Sequence, residues 1–214
     1  MPSAPDSPIP ESPVPAGTAA VILAAGGSRR LGRPKQLLPY GGGVLLDAVL
    51  ATARRCGFAQ IVLALGGSAE EVLGAVDTSG CEVALNPDYD EGCSSSIAAA
   101  IALLRPDTSA VVLLLGDQPG VRAGNVAPLL RALARPDGPG AAVCRYDDGV
   151  GHPLAFSRRL LPEVASLHGD KAVWKLLEQR ADDVVEVRTP GPVPLDVDNE
   201  EDYQRVLAEL QGAG

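Results

Sequence analysis

Short apolar runs recur through the first half of the chain: AAVILAA, QIVLAL, EVAL and the VVLLL of SAVVLLLGDQPG. Each leads through a loop into a stretch with helical spacing: VLLDAVLATARRCG, SAEEVLGAV, SIAAAIALLR and GNVAPLLRALAR. This alternation predicts an α/β chain with an open, mostly parallel sheet and helices on both faces. The composition agrees. The chain is 46% hydrophobic but only 3% aromatic, so its core must be built from Ala, Val, Leu and Ile, as in strands buried on both faces. In such sheets ligands bind outside the carboxyl ends of the strands. The loops after Ala24, Leu85 and Leu115 are therefore expected to meet on one edge.

Finer signals set the element ends. Gly57 is a plausible stop for the first helix. Ser68, with Glu71 three residues later, has the pattern of a capping box. In the second half, AAVCRY and VGHPLAF flank DDG as a hairpin would. The helices RRLLPEVASL and KAVWKLLEQR follow, then a strand VVEVR, a short extended piece and a final amphipathic helix within PLDVDNEEDYQRVLAEL. Residues 1–17 read as a disordered tail: MPSAPDSPIPESPVP holds six prolines and no Lys or Arg, unlike a signal peptide. Residues 18–214 are expected to form a single domain.

The net charge of −9 argues against nucleic acid and against an anionic membrane surface as partners. No apolar run approaches spanning length. Four cysteines without a C-x-x-C pair, and two histidines, make a zinc site improbable and fit free thiols in a reducing cytoplasm.

Against that acidic background, four of the eighteen basic residues (Arg29, Arg30, Arg33 and Lys35) fall in one loop, AAGGSRRLGRPK. The glycines at 26, 27 and 32 do not have dinucleotide-binding spacing, and Lys35 is not placed as in a Walker loop. The physical content is similar: glycines let backbone N–H groups approach an anion, arginine forks onto phosphate oxygens, and lysine adds a compact charge. The loop is read as a site for one small anion; the alternative is a basic surface turn.

The run from Leu23 to Lys35 resembles the signature loop of the MobA-like nucleotidyltransferases, L-A-A-G-x-x-x-R-x-G-x-x-K, and is most similar to their molybdenum cofactor cytidylyltransferase branch. NPDYDEGCSSSI, LLGDQPGV, GHPLAF, HGDKAVWKLL and DVDNEEDY resemble further segments of the family in the same order, covering about residues 18 to 210. The resemblance implies a Rossmann-like nucleotidyltransferase fold. It also implies Mg²⁺-dependent transfer of CMP from CTP to a molybdopterin-type acceptor with release of pyrophosphate. A molybdoenzyme or its maturation chaperone is implied as protein partner.

Carried over residue by residue, Leu23, Ala24, Ala25, Gly26, Gly27, Arg30 and Lys35 bind the nucleotide, and of these Gly26, Arg30 and Lys35 hold the triphosphate, with Arg30 favoured over Arg29 by the spacing. Asp117 is the first metal ligand. Asp198 is the second, although with Glu201 it also reads as a helix cap, and Asp196 is its substitute. Arg30, Lys35 and Asp117 are the catalytic set. Asn86 is a candidate for the base or sugar, or else a turn residue before Pro87. Of Ser94, Ser95 and Ser96, expected to cap a helix, Ser95 is assigned to the nucleotide. His152 and Pro153 are assigned to the acceptor. Trp174 and Tyr203 read as packing residues. Cys93, ahead of a helix, is a candidate for a lowered thiol pKa without a catalytic role.

Three other readings stay open: the same reaction with another acceptor or another base, since the guanylyl branch has A-G-G where this chain has Ala24-Ala25-Gly26; an NAD(P)H-dependent oxidoreductase of the same fold, resembling nicotine blue oxidoreductase; and a non-catalytic delivery partner for a molybdoenzyme.

Overall fold

β1 (Thr18–Ala24) lies at the centre of the sheet and shows how the sequence builds it. Its side chains alternate: Ala20, Ile22 and Ala24 enter one apolar cluster, Ala19 and Val21 the other. A strand buried on both faces needs apolar residues at every position, which is why the run is unbroken. The computed structural model describes residues 14–28, 30–135 and 137–212. The expected tail therefore lies outside the described residues as far as residue 13. Val14 packs against the core, and the Gly17 carbonyl accepts a hydrogen bond from the Ser109 N–H at 2.7 Å.

After β1 the chain forms a small antiparallel ribbon, β2 (Pro39–Tyr40) and β3 (Gly43–Val44), then α1 (Leu45–Cys56). It continues with β4 (Gln60–Leu65), α2 (Ala69–Ala75), β5 (Glu82–Leu85), α3 (Cys93–Ile101), β6 (Ala110–Leu115) and α4 (Val126–Leu133). The second half holds β7 (Ala141–Arg145), β8 (Val150–Ser157), α5 (Leu161–Ala165), α6 (Ala172–Gln179), β9 (Val184–Arg188) and α7 (Glu200–Gly212). Among the described residues seven strands form one sheet in the order β5-β4-β1-β6-β8-β7-β9. All neighbours are parallel except at β8, which runs antiparallel to β6 and to β7. The expected hairpin is the β7–β8 pair, closed where the Tyr146 N–H meets the Gly149 carbonyl at 2.8 Å.

Helices cover both faces, as expected. Leu46, Val49, Leu50 and Ala53 of α1, Val72 of α2 and Val126, Leu129 and Leu130 of α4 pack on one face. Ile97 and Ala100 of α3, Leu161 and Val164 of α5, and Val173, Leu176 and Leu177 of α6 pack on the other. Within each helix these positions recur three or four residues apart, so they share a side. α1 ends at Gly57, whose φ of 73° is the left-handed conformation that glycine adopts without a side-chain clash. Among the described residues no helix is long and apolar enough to cross a membrane.

Two expected caps are corrected. Ser68 makes no side-chain cap bond, because its ψ of 22° lies outside the extended region in which an N-cap side chain reaches the first turn. The cap of α7 is not Asp198 but its neighbour. Asn199 Oδ1 accepts the Asp202 N–H at 3.0 Å, and Asp202 Oδ2 accepts the Asp198 N–H at 3.2 Å. The shift leaves the Asp198 carboxylate free to turn elsewhere.

Candidate active site

The loops at the carboxyl ends of β1, β5 and β6 meet on one edge of the sheet. They open a cavity of about 700 Å³, in the range of small-molecule sites. Leu23, Ala24, Ala25, Gly26 and Gly27 all line it. Gly116 makes the close approach of β6 to β1 possible: a side chain there would start 2.9 Å from Ala24 Cβ and 3.1 Å from the Leu23 carbonyl oxygen. The Gly116 N–H instead donates to that carbonyl at 2.8 Å.

The loop beyond β1 folds around Ser28. Its carbonyl accepts from Leu31 and Gly32, and its hydroxyl accepts the Lys35 N–H at 2.9 Å. Gln36, 1% exposed, tucks under the loop. Its side-chain amide donates to the Ala24 carbonyl at 2.6 Å and the Gly26 carbonyl at 3.3 Å. Arg29 lies outside the described residues.

The basic residues of this loop are answered by a short acidic stretch brought from the far end of the chain. The Val197 N–H binds the Asp117 carbonyl at 3.2 Å and fixes that stretch beside β6. The Lys35 ammonium then sits between two carboxylates. It is hydrogen-bonded to Asp117 Oδ2 and lies 3.0 Å from Asp198 Oδ1. Arg30, largely exposed, reaches Asp198 Oδ2 at 3.1 Å, and Arg33 approaches Glu200 at 3.5 Å.

Burial opposes the charge on Lys35, but Asp117 and Asp198 outweigh it and hold its pKa above the ordinary lysine value. Burial likewise opposes the charge on Asp198, yet Lys35 and Arg30 bring its pKa below the usual carboxylate value. Asp196 also lines the cavity. Protein packed around its carboxyl, reinforced by the nearby negative charge of Asp117, pushes its pKa up to about 6, against the opposing pull of Lys35.

Arg30, Lys35, Asp117 and Asp198 are thus brought together. Among the described residues no three His, Cys, Asp or Glu side chains gather as a metal cluster. Asp117 and Asp198 nevertheless direct oxygens at one shared cation, the Lys35 ammonium. That ammonium shows where a hard divalent ion with two carboxylate ligands and several waters would be electrostatically welcome.

Other assigned residues lie elsewhere. Asn86 is 5% exposed and does not line the cavity. Its side-chain amide donates to Ser95 Oγ at 2.8 Å and Ser96 Oγ at 2.9 Å, and its Oδ1 accepts the Asp88 N–H at 3.1 Å. These bonds join the β5 exit loop to α3 and give Asn86 a scaffolding role behind the cavity lining. Ser95 belongs to the same junction, with its hydroxyl near the Asp88 and Gly92 carbonyls; Ser96, not Ser95, lines the cavity. Pro153 is buried behind the lining. The Cys93 thiol is pushed up by burial and by Asp170, the opposite of the expected lowering.

His152 does reach the cavity, on the β8 side. Burial lowers its pKa to about 4, so the imidazole is neutral near pH 7. It meets the Trp174 ring edge to face, with centroids 5.6 Å apart and planes at 83°. The sequence reading assigned Trp174 to packing alone. The ring does rest on the core, but it also lines the cavity together with Asp170. The four-residue spacing from Asp170 to Trp174 at the entrance to a helix is the signal that would have linked them.

The MobA-like NTP transferase domain matches residues 20–184 of the chain. Nicotine blue oxidoreductase of Paenarthrobacter nicotinovorans is 34% identical over 167 residues, spanning 75% of this chain and 81% of that protein. The crystal structure of the Mycobacterium tuberculosis Rv0371c homolog from Mycobacterium sp. strain JC1 superposes with a TM-score of 0.87 at 46% identity, covering 92% of this chain and 98% of that one. Rv0371c from M. tuberculosis H37Rv in complex with manganese superposes with a TM-score of 0.78 at 42% identity, covering 89% and 98%.

Proposed function

Since the chain belongs to the MobA-like NTP transferase family, a nucleotidyltransferase family, we propose that it transfers CMP from CTP to a molybdopterin-type acceptor and releases pyrophosphate. The observation that carries this reading is the Lys35 ammonium, held between Asp117 and Asp198 beside the Ala24–Gly27 loop. A phosphate oxygen of the acceptor attacks the α-phosphorus of the triphosphate. The bond from that phosphorus to the α–β bridging oxygen breaks, and the electron pair leaves with pyrophosphate. This chemistry needs alignment and neutralisation of charge more than covalent help.

The chain's own residues provide both. Lys35 has three N–H donors and spends two on carboxylates, leaving one for a phosphate oxygen. Arg30 is exposed enough to exchange Asp198 for phosphate. Gln36 draws the Ala24 and Gly26 carbonyls inward, away from an approaching anion. Asp117 and Asp198 would hold Mg²⁺ or a similar divalent ion, which supplies further neutralisation of the triphosphate; that the relative Rv0371c forms a complex with manganese supports a divalent ion as a ligand. Ala25 at the end of β1 matches the cytidylyl form of the loop and favours CTP over GTP.

The test is pyrophosphate release from each nucleoside triphosphate, with and without molybdopterin. Release from CTP that depends on the acceptor is the expected result. The likeness to nicotine blue oxidoreductase favours a second reading, reduction of a substrate by NAD(P)H. Efficient NADPH oxidation with a quinone-like dye, without pyrophosphate release, would establish that reading and reject the first.

A further inference from the structure

Between β9 and α7 the chain runs from Thr189 to Asn199 without regular secondary structure and brings Asp196 and Asp198 to the cavity. The sequence of this strap is TPGPVPLDVDN. Prolines at 190, 192 and 194 have no N–H, so the donors between them are those of Gly191 and Val193. Both are taken by the turn of the β7–β8 hairpin. The Gly191 N–H donates to Asp147 Oδ2 at 3.0 Å, and the Val193 N–H donates to Asp148 Oδ1 at 2.8 Å. Two consecutive carboxylates thus meet two donors spaced by a proline. The fit beside them is close: a side chain at Gly151 would begin 2.8 Å from Val193 Cγ1.

The next hold on the strap is Gln118, the residue after Asp117. Gln118 is 2% exposed, and its side-chain amide donates to the Pro194 carbonyl at 3.1 Å. Three residues further on, the Val197 N–H donates to the Asp117 carbonyl. Asp117 and Gln118 therefore hold the strap on either side of Asp196, and Asp198 follows directly. Gln118 Oε1 is buried without a hydrogen-bond partner among the described residues. An amide with one end unpaired is a poor way to stabilise a core, which an apolar side chain of the same length would fill without the penalty. What the amide adds is a fixed backbone carbonyl four residues before a site carboxylate.

We propose that Gln118 and Asp148 are positioning residues. They act through the strap to set the Asp198 carboxylate across from Asp117, so that the two can hold one divalent ion. The inference rests on the assignment of Asp117 and Asp198 as that pair of ligands. Groups that orient metal ligands without touching the metal typically contribute about 10–100-fold to its affinity.

The test titrates Mn²⁺ into the full chain by calorimetry and follows amide hydrogen exchange by NMR. Gln118→Met keeps an unbranched side chain and removes the amide. Asp148→Ala removes the hairpin acceptor at an exposed position, so it probes the strap without opening the core. Each variant should bind Mn²⁺ about tenfold more weakly or worse. Each should also speed exchange at Val193 and Val197 while the amides of β1 keep their protection. Asp148→Asn keeps an oxygen for the Val193 N–H and should bind Mn²⁺ as the wild type does.

Unchanged Mn²⁺ affinity in either Gln118→Met or Asp148→Ala would overturn the inference. Exchange that quickens equally at every amide would do so too, because it marks a general loss of stability. Equal weakening in Asp148→Asn would trace the effect to charge and have the same consequence. Absence of Mn²⁺ binding by the wild type would reject the ligand assignment, and the inference with it. Mn²⁺ binding that needs Gln118 and Asp148, without pyrophosphate release from any triphosphate, would reject the transferase reading and leave the positioning role standing.

Discussion

Replacing Lys35 by Met removes one charge from the site and keeps an unbranched apolar stem. The contact with Asp117 is well shielded, the two side chains being 14% and 15% exposed. A charge-assisted hydrogen bond in such a place contributes about 1.5–3 kcal/mol. The contact with Asp198, whose side chain is 44% exposed, is solvent-screened and adds less than about 1 kcal/mol. The substitution also leaves the carboxylates of Asp117, Asp196 and Asp198 without their shared ammonium, a loss in the same direction. Lys35→Met should therefore destabilise the fold by about 3 kcal/mol, which lowers Tm by about 6–12 °C for a chain of this size.

Thermal unfolding across pH tests the origin of that loss. The pKa of Asp198 is lowered in the folded protein, so its contribution is present above its ordinary value of 3.8 and disappears as pH falls through the lowered one. The gap between wild type and variant should stay open from pH 7 down to about pH 4 and close below it, as pH falls through the lowered pKa of Asp198. Mg²⁺ or Mn²⁺ should restore part of the stability of the variant, by about 2.7 kcal/mol at a hundredfold excess over Kd. A gap that is the same at every pH would mean a packing defect and refute the electrostatic argument. A gap below about 0.5 kcal/mol at pH 7 would mean that the site is already solvated.

Asn86→Ala should cost about 2–3 kcal/mol in urea unfolding, since it opens a buried junction, while calorimetry finds CTP affinity unchanged. A large loss of affinity in a well-folded variant would return Asn86 to the nucleotide. Asp198→Asn should change stability by less than about 1 kcal/mol, because the cap belongs to Asn199, yet turnover at limiting Mg²⁺ should fall steeply; Asn199→Ala should do the opposite. His152 should cost the fold stability as pH drops from 6.5 toward about 4, because the unfolded chain binds a proton there that the folded site refuses, while Asp196, whose raised pKa lets the folded state bind a proton first, offsets that loss over much of the same window. This loss amounts to at most about 3 kcal/mol. His152→Phe should remove that loss, so its Tm should rise relative to wild type as pH falls from 6.5 toward 4, and a difference that does not change with pH would place the titration elsewhere.

The architecture was legible because its signals are local. An unbroken apolar run such as VVLLL can be satisfied only by burial on both faces, and the helical spacing of LLDAVLATARR fixes which side of α1 is buried. The loop from Leu23 to Lys35 was legible for the same reason, since its glycines and cations are consecutive in the chain. What the sequence left ambiguous is where side chains separated by many residues meet. Asp198 and Asn199 are equally good caps by type, and Lys35 resolves the choice by drawing Asp198 toward itself across 163 residues of chain. Asn86 looked suited to a ligand because an amide both donates and accepts, but Ser95, Ser96 and Asp88 use up that capacity within the protein. Trp174 satisfies the helix pattern whether its ring is wholly enclosed or partly open to a cavity, because periodicity gives direction and not depth. Chain-local chemistry sets the elements and the phosphate-directed loop; the pairing of charges and the lining of the cavity come from tertiary contacts, where desolvation and competition among partners decide what each polar group does.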